Sequence, residues 1–116
     1  MNVVRHILQR PVNLRFAAGM SEKSQEITVL HEKDKNRFIV YLEKGTALLD
    51  YTVKDNTLDL YHTEVPTAYR GHGIAKHLVK DALQYAVDSS FKIKPTCSYV
   101  LKYVKENHDP AHDVVT

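Results

Sequence analysis

Cysteine is nearly absent from this chain. Cys97 stands alone in 116 residues, so an internal disulfide framework is excluded and a thiol-only zinc site is not credible. A reducing compartment is the simpler expectation. No apolar run approaches the roughly 18 residues that a membrane span requires, so no membrane span is expected. Excess charge is lacking as well, with 16 Lys+Arg against 14 Asp+Glu and a net charge of +2. Three of the basic residues, Arg5, Arg10 and Arg15, fall in the acid-free stretch 1–21. Without them the remainder holds 13 basic against 14 acidic residues. That balance leaves no basic stripe for a polyanion, and nucleic acid is excluded as an expected partner. His6, His31, His77, His108 and His112 have no metal-ligand spacing with acids or with Cys97, so no metal is expected. Internal repeats, low-complexity tracts and a second domain are also missing. What is present fits one small domain, because a hydrophobic content of 43% supplies a modest core.

The N-terminal stretch 1–25 reads as a flexible segment outside that domain. Val3, Val4, Ile7 and Leu8 share one side of a short helix, which Pro11 ends or kinks. Spaced arginines, absent acids and the small residues Ala17-Ala18-Gly19 have the composition of a mitochondrial presequence. The alternative is a disordered arm with accidental amphipathicity, in which case the location is cytoplasmic or nuclear. From Ile27 the pattern becomes short alternating strands at 27–31, 37–43, 46–53 and 57–65, joined by polar turns. Connections this short favour an antiparallel meander. A helix follows from about His72 to Asp88, with Ile74, Ala75, Leu78, Val79, Ala82, Leu83, Ala86 and Val87 in one apolar stripe. Phe91 to Cys97 reads as a fifth strand, which the helical crossover makes parallel to the fourth. A short helix over Tyr99–Glu106 turns Val100, Tyr103 and Val104 inward. The expected fold is α+β over residues 26–108, with a polar tail at 109–116.

One stretch organises the rest: Val65-Pro66-Thr67-Ala68-Tyr69-Arg70-Gly71-His72-Gly73-Ile74-Ala75. It joins the fourth strand to the long helix, and a helix N-terminus leaves about four backbone N–H groups free to meet an anion. Gly71 and Gly73 remove Cβ atoms where a phosphate must approach the backbone. Arg70 adds a permanent positive charge. The dinucleotide fingerprint is excluded, since Lys76 stands where its third glycine is required, and no Gly-Lys-Ser/Thr makes a P-loop. The stretch does resemble the pyrophosphate motif Arg/Gln-x-x-Gly-x-Gly/Ala of the GNAT (GCN5-related) N-acetyltransferase superfamily, read here as Arg70, Gly73 and Ala75. The flanking strings His62-Thr63-Glu64-Val65-Pro66 and Thr96-Cys97-Ser98-Tyr99-Val100 narrow it to the short single-domain branch, the small N-acetyltransferase domain-containing proteins.

That resemblance spans roughly residues 27 to 108 and implies a truncated GNAT-like fold. The helical pair usual between the first two strands is replaced by a five-residue turn, Glu32–Asn36, which implies an open acceptor side. The implied cofactor is acetyl-CoA, with the pyrophosphate on Val65, Arg70, Gly71, His72, Gly73, Ile74 and Ala75. Its pantetheine arm lies between splayed fourth and fifth strands. Asn107, with Lys102 and Lys105, lies towards the 3′-phosphate of the adenosine end. His62 is expected on the face of Leu58, Leu60 and Glu64, ahead of a bulge at Pro66. Histidine accepts protons near neutral pH, and the branch places one near the acetyl group; Glu64 orients it or replaces it as base. Cys97 is either a small buried hydrophobe or a thiol lining the thioester, which needs activation by His62 or by the helix after it to act as a nucleophile. Tyr99 and Tyr103 are candidates to protonate the departing thiolate, Tyr99 being the nearer. The implied activity is acetyl transfer to an amine in a ternary complex, the acceptor being a small amine, a lysine side chain or a protein N-terminus, and the protein a monomer. A regulatory or carrier module that binds CoA or acetyl-CoA with little turnover is the alternative. An interaction module that binds no CoA is disfavoured by the intact Arg70–Gly73 loop.

Overall fold

The computed structural model describes residues 10–15 and 24–107. Its six-stranded sheet runs in chain order from β1 (Arg10–Arg15) through β2 (Ser24–Glu32), β3 (Arg37–Leu42), β4 (Gly45–Lys54) and β5 (Thr57–Glu64) to β6 (Lys92–Lys94). Helix α1 (Ile74–Asp88) crosses between β5 and β6, and α2 (Ser98–Glu106) follows β6. Strands β2 to β5 form the antiparallel meander expected from the short turns, and β6 is parallel to β5. The β4–β5 turn is two residues long, with Asp55 and Asn56 at φ of 51° and 63°, the left-handed pair of a type I′ hairpin. One 3₁₀ turn, Lys33–Lys35, is all that separates β2 from β3.

Three sequence expectations need correction. Residues 10–15 do not lie outside the sheet: they pair with 24–29 of β2, so the sheet begins before residue 26. A short segment holding a proline carries little strand signal, and Pro11 is tolerated because edge strands need not donate at every position. The fifth strand is three residues, not the seven of Phe91–Cys97. Pro95 has no N–H to continue the ladder, and the chain leaves β5 until the Cys97 N–H donates to the Leu60 carbonyl at 2.9 Å. Finally, the bulge is not at Pro66, which instead begins a 3₁₀ turn over Thr67–Tyr69. It lies at Tyr61, where Asp50 faces His62 and Tyr51 faces Leu60, with Tyr61 left over.

The apolar stripe of α1 lies on one face of the sheet. Leu78, Val79, Ala82, Leu83 and Ala86 pack on Val29, Phe38, Val40, Leu49, Leu58, Leu60 and Ile93, all nearly solvent-free. Ala75 and Val87, at the edges of the stripe, are half-buried. Helix α2 sits beside α1 and against β5, with Val100, Tyr103 and Val104 inward as expected. The opposite face carries Leu30, Ile39 and Leu48 in one row and Arg37, Asp50 and His62 in the next. Arg37 Nε and Asp50 Oδ1 are 3.3 Å apart there.

Candidate active site

The β5–α1 loop is held open by its own bonds. Tyr69 N–H donates to the Pro66 carbonyl at 2.9 Å and Arg70 N–H to that of Thr67 at 3.2 Å. Arg70 then folds back, its Nε donating to the Val65 carbonyl at 3.1 Å. Gly71 and Gly73 take φ of +85° and +84°, a left-handed conformation that glycine adopts without strain. A Cβ added at either would meet no heavy atom within 4 Å, so the space above them is open. Gly73 is the N-cap of α1 and supplies no capping side chain, so the first N–H groups of the helix face that space. A cleft of about 360 Å³ lies over them, lined by Val65, Tyr69, Arg70, Gly71, Gly73, Ile74, Ala75 and Tyr99. All but Tyr69 and Tyr99 were expected at the pyrophosphate; His72, half-buried in the same loop, is not among the lining residues.

Beyond Leu60 the two strands part, and the sides of the gap differ. Residues opposite one another in an antiparallel pair share a face. Thr63 faces Leu49, a core residue, and therefore points to the helix side; His62 faces Asp50 and points to the other. The bulge at Tyr61 thus overturns the expectation that His62 shares a face with Leu58 and Leu60. Glu64 follows His62, with Oε1 3.9 Å from His62 Nε2, both exposed. Cys97 is on the helix side, packed against the core edge, its Sγ 3.5 Å from Thr63 Oγ1. Activation of Cys97 by His62 would require reaching around β5. The thiol is tuned from its own side: burial pushes its pKa up, while the Thr63 hydroxyl and the N–H groups of Val100, Tyr99 and Thr63 draw it down, and the net direction is down. Cys97 is the N-cap of α2, and those helical N–H groups act on it without closing a side-chain capping bond.

Tyr99 links the loop to a second cleft of about 380 Å³, shared with Lys76, Lys102, Tyr103, Glu106 and Asn107. Burial, then the charge of Glu106, pushes the Tyr99 phenol up, so it keeps its proton. Tyr103 is core, as its helical spacing allows. Asn107 caps α2, its Nδ2 donating to the Tyr103 carbonyl at 2.9 Å. Lys105 is exposed on α2 and lines neither cleft. Sequence reasoning missed Thr63 and Tyr69. Thr63 lay within the string His62–Pro66, but alternation without the bulge turned it to the wrong face. Tyr69, an aromatic inside a loop, was itself a signal of anchoring.

The site thus sits in an α+β sheet whose last two strands are parallel and part beside a glycine turn and an uncapped helix start. The chain belongs to the GCN5-related N-acetyltransferase family, whose model matches residues 37–114. Protein NATD1 of Gallus gallus is 44% identical over 98 residues, covering 81% of this chain and 88% of that one. Protein NATD1 of Homo sapiens is also 44% identical, covering 81% of this chain and 86% of its own length. Among solved structures, the solution structure of a GCN5-like putative N-acetyltransferase from Staphylococcus aureus is 30% identical with a TM-score of 0.55, covering 70% of this chain and 81% of that chain. Family membership supports acetyl transfer as the general activity.

Proposed function

We propose that the protein transfers an acetyl group from acetyl-CoA directly to an amine. The observation that carries this reading is the open glycine loop set at the parting of β5 and β6. The residues fit the donor: N–H groups at an uncapped helix start, a guanidinium, and a cleft continuing past Tyr99 towards Lys102 and Asn107. Acetyl-CoA supplies a thioester carbon open to attack by an amine. Gly71, His72, Gly73, Ile74 and Ala75 hold the pyrophosphate through backbone N–H groups, and Arg70 adds charge. Val65 lines the path of the pantetheine arm. His62, on the face away from the helices, takes the proton of the attacking amine as the C–N bond forms, and Glu64 orients it. Tyr99 returns a proton to the sulfur as the C–S bond breaks. Cys97 and Thr63 form the donor-side wall. The acceptor is a small amine, a lysine side chain or a protein N-terminus.

A second reading, an acetyl carrier with little turnover, is favoured by one observation, the lowered pKa of Cys97. One pair of variants separates the two. Under direct transfer His62→Ala slows acetylation by ~10²–10⁴ while sparing CoA affinity, since that is the usual cost of losing a general base. Cys97→Ser then costs far less. Intact mass after mixing the wild type with acetyl-CoA shows no adduct under direct transfer. A persistent, thiol-labile acetyl group on Cys97 with no acceptor consumed would establish the carrier instead.

A further inference from the structure

The turn between β3 and β4 touches the loop at two points, although it lies outside the cleft. Gly45 opens β4 opposite Leu42, at φ +140°, where side chains are rare. A Cβ there would stand 2.8 Å from Pro66 Cγ and 3.2 Å from Pro66 Cβ, so Pro66 is seated directly on a bare backbone. One residue earlier, the Lys44 N–H donates to the Tyr69 hydroxyl at 3.0 Å. Tyr69 is 2% exposed and packed in the core, yet it lines the cleft. Pro66 and Tyr69 bracket the 3₁₀ turn that precedes Arg70 and the two glycines. The loop start is thereby fixed at both ends of one turn by a hairpin nearby in space and about 25 residues away in sequence.

We propose that the β3–β4 turn positions the anion-binding loop, with Gly45 setting its distance from the sheet and Tyr69 its orientation. The inference rests on the reading of that loop as the CoA pyrophosphate site. Backbone N–H groups bind an anion only where they converge, and a displacement of a few tenths of an ångström at Pro66 passes into Arg70–Gly73 because the intervening turn is hydrogen-bonded. Gly45→Ala and Tyr69→Phe alter this buttress while leaving the loop residues Arg70, Gly71, His72 and Gly73 unchanged.

The test compares CoA with pantetheine, which lacks the pyrophosphate, by titration of the full chain. Loss of one charge-assisted hydrogen bond corresponds to about tenfold in affinity. Gly45→Ala is therefore expected to weaken CoA about tenfold, and Tyr69→Phe several-fold, with pantetheine affinity within about twofold of wild type. Adding Pro66→Ala to Gly45→Ala removes the atom at 2.8 Å and restores part of the CoA affinity. Should Gly45→Ala fail to fold, Tyr69→Phe alone decides. Variants that fold and bind CoA like the wild type would overturn the buttress while sparing the loop reading, as would equal losses for CoA and pantetheine. A wild type that binds no CoA would remove both.

Discussion

Replacing Gly73 by aspartate tests the loop with little risk to the fold. The new Cβ meets nothing within 4 Å, so no neighbour must move. The φ of +84° is left-handed, where Asp costs about 1 kcal/mol relative to glycine. A carboxylate at the start of α1 recovers roughly 0.3–1 kcal/mol against the helix dipole. The two terms nearly cancel, and stability should change by less than about 1 kcal/mol, a melting shift of about 4–8 °C at most for a domain this size. Towards a pyrophosphate the same carboxylate is a like charge in the place reserved for an anion. At ~4 Å and an effective dielectric of about 20 the repulsion is about 4 kcal/mol, and solvent and salt reduce it to roughly 2–3. CoA affinity should fall about two orders of magnitude. Gly73→Ala, which carries the φ cost alone, should lose much less. Titration calorimetry with CoA reads the result, and a folded Gly73→Asp protein that binds CoA as the wild type does would refute the assignment.

Thr63→Val keeps shape and removes the hydroxyl that faces Cys97 at 3.5 Å; alkylation of Cys97 at neutral pH should slow about fivefold, the worth of one modest hydrogen bond, and an unchanged rate would leave the backbone N–H groups of Thr63, Tyr99 and Val100 as the activators. His31 is 4% exposed, stacked on Phe38 at 4.1 Å and hydrogen-bonded to the Tyr51 hydroxyl at 2.6 Å, and burial, then Lys33, lowers its pKa from 6.5 to about 4. The fold prefers the neutral ring, so this stability is complete above pH 6.5 and is lost as the pH falls towards 4; wild type should lose about 2–3 kcal/mol over that window, and His31→Phe should flatten the urea-midpoint slope. Deleting residues 1–21 removes β1 and bares the β2 edge at residues 24–29, so the urea midpoint should drop, while the same segment fused to a reporter is expected to enter mitochondria; a diffuse cytosolic signal would count against the targeting role.

The meander, the crossover helix and the inward residues of α2 were legible because each rests on a local period or a short polar turn. Alternation from Leu58 to Leu60 set the face of β5 correctly up to the bulge. It failed at Tyr61 because a bulge is a choice between two strands, and nothing in Tyr61-His62 alone says that one residue will go unpaired. The same limit applied to β6, where the apolar pattern ran past Pro95 although the ladder could not. β1 escaped notice because an edge strand of six residues with a proline has no periodicity long enough to detect. The open glycine turn was legible in its residue types, since Gly71 and Gly73 take positive φ with open space above them, but its fastening to Gly45 and Tyr69 is a tertiary contact. Cys97 and His62 were both named as candidates, but their placement on opposite faces was not legible.

That separation bears directly on the two chemical routes. Under the proposed function, a thioester in the gap between β5 and β6 would have one side towards Thr63 and Cys97 and the other towards His62 and Glu64. An acyl-cysteine route draws on the helix side, where the cleft is walled by α1, α2 and the core edge. Direct transfer draws on the opposite side, where among the described residues no helix pair lies between β2 and β3, the two being joined by the 3₁₀ turn Lys33–Lys35. If His62 is the base, the acceptor must arrive on that open side, and its size is then not limited by any described helix. The bulge preserves this division, because leaving Tyr61 unpaired keeps His62 opposite Asp50 and Thr63 beside the Cys97 sulfur. A variant lacking Tyr61 would close the bulge with His62 directly after Leu60, so His62 should stay opposite Asp50 and Thr63 opposite Leu49, and the two sides should persist.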